Sequence, residues 1–229
     1  RLSGRRWRNW LLTELAWALE SPKAWAYPTL LQIEPANVCN LRCPVCHIVT
    51  DGKPQGFLPL DAFKKIMDEV GDDILFLHLW GWGEPFMNKD FFSMVKYARA
   101  KGVQIISSTN GHFFESDGNI DKLIDSGLDV LIVALDGTDP ETYEKYRLQG
   151  DFERVVSGLK QLVKAKREMG ARSPRINLRM LVTRENEDQV EPMKALAREI
   201  GVEIFSLKTL CSFDNESKGA ELLPCRPEF

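Results

Sequence analysis

Cys39, Cys43 and Cys46 follow one another as C-x3-C-x2-C, so three of the five cysteines fall within eight residues. Thiolates are soft ligands, and a loop this short can wrap three corners of one four-iron, four-sulfur cluster. A fourth cysteine at such spacing is missing, which leaves one iron without a protein ligand and open to a small molecule. The reading is a catalytic cluster. Two other readings stand beside it. Cys39, Cys43, Cys46 and the adjacent His47 could form a structural zinc site with three sulfurs and one nitrogen, although zinc sites usually draw ligands from two separated pairs. Three unrelated buried cysteines is the last alternative.

Such a loop has to be held by regular structure. It directly follows a short apolar, β-prone run, Thr29 to Ile33. Downstream, the apolar periodicity predicts helices over residues 60–70, 88–101, 119–126, 139–147, 151–169 and 187–200. The helix over 88–101 is expected to turn Phe91, Phe92, Val95 and Ala98 inward. Strands are expected over 74–80, 103–108, 130–135, 175–182 and 202–208, the run 74–80 being apolar enough for burial on both faces. Six strands alternating with helices imply a parallel sheet with right-handed crossovers. Six are too few to close an eight-fold barrel, so the fold class is α/β, an open (β/α)6, TIM-like partial barrel. In such sheets ligands sit beyond the carboxyl ends of the strands.

Further candidate site residues lie at those ends. The second strand runs into Gly81-Trp82-Gly83-Glu84-Pro85. Glycine lets backbone approach a ligand closely, and a carboxylate with exposed carbonyls can receive an ammonium group. The third strand ends in Thr109-Asn110-Gly111, where Asn110 could hydrogen-bond a ligand or simply make a turn. The fourth ends in Val133-Ala134-Leu135-Asp136-Gly137, followed by a short helix closing on Arg147, whose planar guanidinium can clamp a carboxylate. Asp136 also reads as a cap, and Arg147 as a solvated helix-end cation. On the fifth strand Arg179 faces either a substrate anion in the interior or solvent. His78 either sits in the core or lines the cavity.

Taken together, these stretches resemble the radical S-adenosylmethionine enzymes over about residues 29 to 208. The resemblance implies that Cys39, Cys43 and Cys46 bind a [4Fe-4S] cluster whose free iron takes the methionine end of S-adenosylmethionine. It implies that Gly83, Glu84 and Pro85 meet the amino group of that cofactor, with Trp82 where the family's first glycine stands. It also implies that Asn110 and Asp136 position the cofactor and that Arg147 takes its carboxylate. Val45 replaces the aromatic residue often found before the third cysteine, and Ala134 stands where a serine often sits. The implied chemistry is reductive cleavage to a 5′-deoxyadenosyl radical that takes hydrogen from a substrate. Maturation of a peptide or protein is favoured over a sugar or other small metabolite. The implied electron donor is of the flavodoxin or ferredoxin kind. A reading of another class is a non-catalytic iron–sulfur or zinc module that docks a partner.

The chain has 229 residues, 44% of them hydrophobic, enough for a substantial core in one main domain. A formal net charge of −3 gives no reason to expect a nucleic-acid partner. The cysteines do not read as a disulfide framework and suit a reducing, cytoplasmic setting. Residues 1–28 read as a basic amphipathic helix and lead-in, with the helix over 4–20. Its Trp7, Trp10, Leu11, Leu15, Ala18 and Leu19 fall near one face. It is expected to pack on the barrel or on a further domain, with peripheral contact to an anionic membrane surface as the alternative. Residues 29–210 form the core domain. Residues 211–229, with Cys211 and Cys225, resemble the start of a SPASM or twitch region, in which relatives bind auxiliary iron–sulfur clusters. The chain is expected to be trimmed at both ends, with Cys211 a free structural thiol.

Overall fold

The computed structural model describes residues 3–50, 54–116, 118–210 and 221–229. Cys211, and with it most of the expected auxiliary region, lies outside the described residues. The elements follow the order α1 Gly4–Ala18, β1 Leu30–Gln32, α2 His47–Thr50, α3 Leu60–Val70, β2 Phe76–His78, α4 Phe91–Ala100, β3 Gln104–Thr109, α5 Asn119–Asp125, β4 Val130–Ala134, α6 Pro140–Tyr146, α7 Phe152–Glu168, β5 Arg175–Val182, α8 Val190–Ile200 and β6 Ile204–Thr209. The six strands form one sheet in the order β1-β2-β3-β4-β5-β6, and every pair is parallel. This is the expected open (β/α)6 arrangement.

Alternation along β5 shows how the two faces differ. Ile176, Leu178, Met180 and Val182 are buried, while Arg179 and Leu181 are only partly so. Successive strand residues point to opposite faces, so one set packs under the helices and the other lines the barrel interior. The helices supply the matching apolar stripe: Phe63 and Met67 from α3, Val155, Leu159 and Leu162 from α7, Met193 and Ala197 from α8. Asp139 and Asp151 start α6 and α7 by accepting from the backbone N–H groups of Thr142 and Arg154.

Two expectations need correction. In β2, Leu77 is fully buried, but Phe76 is exposed and His78 half-buried. The interior-facing side of β2 is left partly open, so this strand is buried on its outer face alone. The helix expected over 88–101 begins three residues later, as α4 at Phe91, behind a separate 3-10 turn, Pro85–Met87. Asn88 holds the chain out of the helix at this point: its Nδ2 donates to the carbonyls of Pro35 and Leu58, and its Oδ1 accepts from Asp90 N–H. Met94, rather than Phe92, completes the buried stripe of α4 with Phe91, Val95 and Ala98.

Helix α1 packs on the barrel, but through its polar edge. Arg6 and Asn9 are its buried residues, while Trp7, Trp10, Leu15 and Trp17 are exposed. The Arg6 guanidinium donates to the carbonyls of Ile74 (2.8 Å), Gly102 (3.2 Å), Gly71 (2.8 Å) and Lys101 (2.6 Å). Asn9 bonds both the N–H and the carbonyl of Tyr27. These carbonyls lie in the turns that feed β2 and β3, so α1 ties down the amino-terminal end of the sheet. Replacing Arg6 by alanine strips charged donors from buried acceptors and should cost about 2–3 kcal/mol. A urea midpoint equal to that of the parent protein would refute that role.

Candidate functional site

At the opposite, carboxyl-terminal end of the strands lies a cavity of about 330 Å3, within the ordinary range of small-molecule sites. A larger, more open hollow of about 810 Å3 lies under α1. It holds no cysteine, and its buried acid Asp73 is already paired with Arg5. The smaller cavity is lined by Cys39, Cys43 and Cys46 together with Gly83, Glu84, Asn110, Asp136 and Arg147. Eight of the nine residues expected to hold the cluster or the cofactor therefore line one cavity. Pro85 is buried just behind it and starts the 3-10 turn.

The cysteine loop is set in an apolar nest. Leu41, Cys43, Tyr146 and Leu210 are buried together, with Cys39, Val45, Cys46 and Leu181 packed against them. Three N–H donors approach the sulfurs: Leu41 N at 3.4 Å and Asn110 Nδ2 at 3.7 Å from Cys39 Sγ, and Arg147 Nη1 at 3.8 Å from Cys43 Sγ. Burial pushes the Cys39 thiol up to about 11, against the pull of the Leu41 N–H. Burial likewise raises Cys46, partly offset by the N–H of Ile48. Without a metal Cys39 and Cys46 are protonated thiols at neutral pH; a metal would hold them as thiolates that the N–H donors already address. Among the described residues no three His, Cys, Asp or Glu side chains are gathered around a single-ion position. His47 is absent from the cavity wall, and its ring packs edge-on against Trp82 at 4.2 Å between centroids. Three thiols spread round an apolar wall, with N–H groups aimed at the sulfurs, fit a polynuclear cluster.

The strand-end loops are tied to the cysteine loop and to one another. Glu84 N–H donates to the Val38 carbonyl at 2.8 Å. Glu34, at the end of β1, accepts from the N–H groups of Trp82 and Gly83. The Glu84 carboxylate, 2% exposed, accepts from Phe86 N–H, Thr109 Oγ1 and Asn110 N–H, at 3.1, 2.8 and 2.8 Å. Asn110 in turn donates to Asn40 Oδ1 at 2.8 Å. Asp136 and Arg147 are partners: Nε meets Oδ2 at 2.6 Å, and the other carboxylate oxygen accepts from Leu181 N–H at 2.7 Å. Burial opposes the charge on Arg147, yet Asp136 and Cys43 hold its pKa well above the ordinary guanidinium value. Glu34 was missed from sequence; its one signal is an acid at the end of a strand that enters the cysteine loop.

Burial pushes Glu84 up to about 7, with its three donors pulling the other way. A carboxyl whose folded pKa lies above its unfolded value binds a proton that the unfolded chain has lost. Stability of the metal-free protein should therefore fall as pH rises from about 4.5 to about 7, by up to roughly 3 kcal/mol, and then level off. Glu84→Gln should flatten that slope. Equal slopes in parent and variant, from urea unfolding at pH 5 and pH 7.5, would show that Glu84 does not carry it.

Comparison with known proteins adds an independent line. A family model described as the Radical SAM superfamily matches residues 33–197. The chain is 29% identical over 202 residues to the AdoMet-dependent heme synthase of Methanosarcina barkeri, covering 86% of this chain and 55% of that protein. It is 32% identical over 174 residues to the mycofactocin maturase MftC of Mycolicibacterium smegmatis, covering 76% and 43%. Streptococcus suis SuiB bound to S-adenosylmethionine has the same fold, with a TM-score of 0.71 and 17% identity over 84% of this chain and 43% of SuiB. The chain spans about half the length of the curated relatives it matches.

Proposed function

This chain belongs to the Radical SAM superfamily, and from that premise we propose that it cleaves S-adenosylmethionine reductively and acts on a peptide or small-molecule substrate. The observation that carries the reading is the convergence of Cys39, Cys43 and Cys46 on one cavity with Arg147 and Glu84. When bound, a [4Fe-4S] cluster would supply an electron to S-adenosylmethionine and so yield a 5′-deoxyadenosyl radical that takes hydrogen from the substrate. The three cysteines would hold the cluster, with Leu41, Asn110 and Arg147 donating to its sulfur ligands.

Gly83, Glu84 and Pro85 would meet the amino group of the cofactor. Its carboxylate would go to Arg147, which Asp136 holds in place. Asn110 would position the cofactor at the end of β3. The apolar nest around the cysteines keeps water away from a reactive site. A flavodoxin- or ferredoxin-like donor in a cytoplasmic setting completes the proposal. A peptide substrate is favoured because MftC is a maturase and SuiB has a structure with its precursor peptide SuiA. The heme synthase keeps small-molecule chemistry as the second reading. Exposed Cys225 would belong to an auxiliary cluster region, and the outward tryptophans of α1 to a peripheral membrane contact.

The test is anaerobic reconstitution with iron and sulfide, followed by S-adenosylmethionine and dithionite. Formation of 5′-deoxyadenosine is expected. A four-iron protein that binds the cofactor without cleaving it would favour the non-catalytic docking module.

A further inference from the structure

The barrel interior carries a cation that the site described above does not use. Arg179 on β5 lines the same cavity as the three cysteines. Its ladder neighbours are Ala134 on β4 and Ser206 on β6. Nε donates to Ser206 Oγ at 3.2 Å, and Ser206 is held in turn by Asn177 Oδ1 at 2.9 Å. This chain of contacts orients the guanidinium and leaves its two terminal nitrogens without a hydrogen-bond partner among the described residues. Burial lowers the pKa of Arg179, with no carboxylate among the described residues to offset it.

Both acids on the cavity wall are engaged elsewhere: Asp136 by Arg147 and Leu181 N–H, Glu84 by its three donors. Lys208, on β6, opens onto the same cavity, and among the described residues it too has no ion-pair partner. A half-buried cation without a counter-charge is costly unless an anion arrives to meet it. The same cavity is also lined by the apolar side chains of Trp80, Ala134 and Leu181. Trp80 is further stiffened by stacking on His78 at 4.3 Å.

We propose that Arg179, with Lys208 at the rim, receives a carboxylate carried on an apolar part of the substrate. This deepens the function proposed above and rests on it. Carboxylate suits the geometry better than phosphate. With Nε engaged, the terminal nitrogens offer a flat pair of donors that matches two carboxylate oxygens. Phosphate sites add backbone N–H groups from a glycine-rich loop. On this wall the N–H groups of Trp82 and Gly83 are already taken by Glu34.

The experiment is equilibrium dialysis of radiolabelled benzoate, and of benzamide as its neutral isostere, on the reconstituted protein with and without S-adenosylmethionine. Benzoate should bind about tenfold more tightly than benzamide. Arg179→Gln should abolish that preference and Arg179→Lys should keep part of it. Both variants should bind S-adenosylmethionine and form 5′-deoxyadenosine in the absence of substrate within about twofold of the parent protein. Equal binding of benzoate and benzamide by the parent would overturn the proposal, as would a preference that survives Arg179→Gln. Inorganic phosphate displacing benzoate below millimolar concentration would reassign the subsite to phosphate esters. Loss of S-adenosylmethionine binding in Arg179→Gln would give the residue to the cofactor instead. Failure of the underlying function would show separately, as no 5′-deoxyadenosine from any of the proteins, while the dialysis result stands by itself.

Discussion

Cys43→Ala should lower 5′-deoxyadenosine formation to background while leaving the fold in place. Cys43 is 7% exposed and packs with Leu41, Tyr146 and Leu210. Losing one sulfur from that nest should cost about 1 kcal/mol, which the core of a chain this size tolerates. The chemical loss is of another order, because two cysteines cannot hold three corners of a cubane, and Arg147 Nη1 loses the sulfur it faces. Iron content should fall together with activity, and Cys43→Ser, close to isosteric, should behave like the alanine variant. Far-ultraviolet circular dichroism separates this outcome from unfolding. Retained cleavage in either folded variant would remove Cys43 from the ligand set.

Gly83→Ala should be nearly as damaging, for a steric reason. A β-carbon there would stand 2.0 Å from the Ala36 carbonyl oxygen and 2.7 Å from that of Val38. Both obstacles are backbone, so no side-chain rotation relieves them. Either the segment 36–38 or the loop 81–84 has to move, which breaks the Glu84 N–H to Val38 carbonyl bond and shifts Cys39 at the next position. A loss of about 3 kcal/mol in stability is expected, together with a fall in iron uptake. The measurement is urea unfolding alongside iron stoichiometry after reconstitution. Parent-like values for both would mean that the two loops are not in the contact described.

Those two positions also show how unevenly the molecule could be read from its residues. Helix α3 and strand β5 match the expected bounds of 60–70 and 175–182, because Gly71 and Pro174 punctuate clear periods of 3.6 and 2. The cysteine spacing is local and was equally plain. What the pattern could not give is pairing at a distance. Asp136 and Arg147 were singled out for separate tasks, whereas the fold joins them at 2.6 Å. Glu34 went unassigned because its partners lie 48 and 49 residues away and are backbone N–H groups, which leave no trace in side-chain type. The tryptophan stripe of α1 suggested an inward face. The Arg6 guanidinium outweighed it by reaching four carbonyls that hydrophobic periodicity does not register.

The bracing among the loops after β1, β2 and β3 has a thermodynamic corollary. Glu34, Glu84 and Asn110 fasten these segments together before any metal enters, so most of the entropy of shaping the socket is already lost during folding. Iron and sulfide should then seat in a rigid receptacle, with apo and loaded forms nearly identical in secondary structure. Removing one brace, as in Glu34→Ala, should weaken cluster retention and nucleotide affinity together, since both draw on the same preorganised frame.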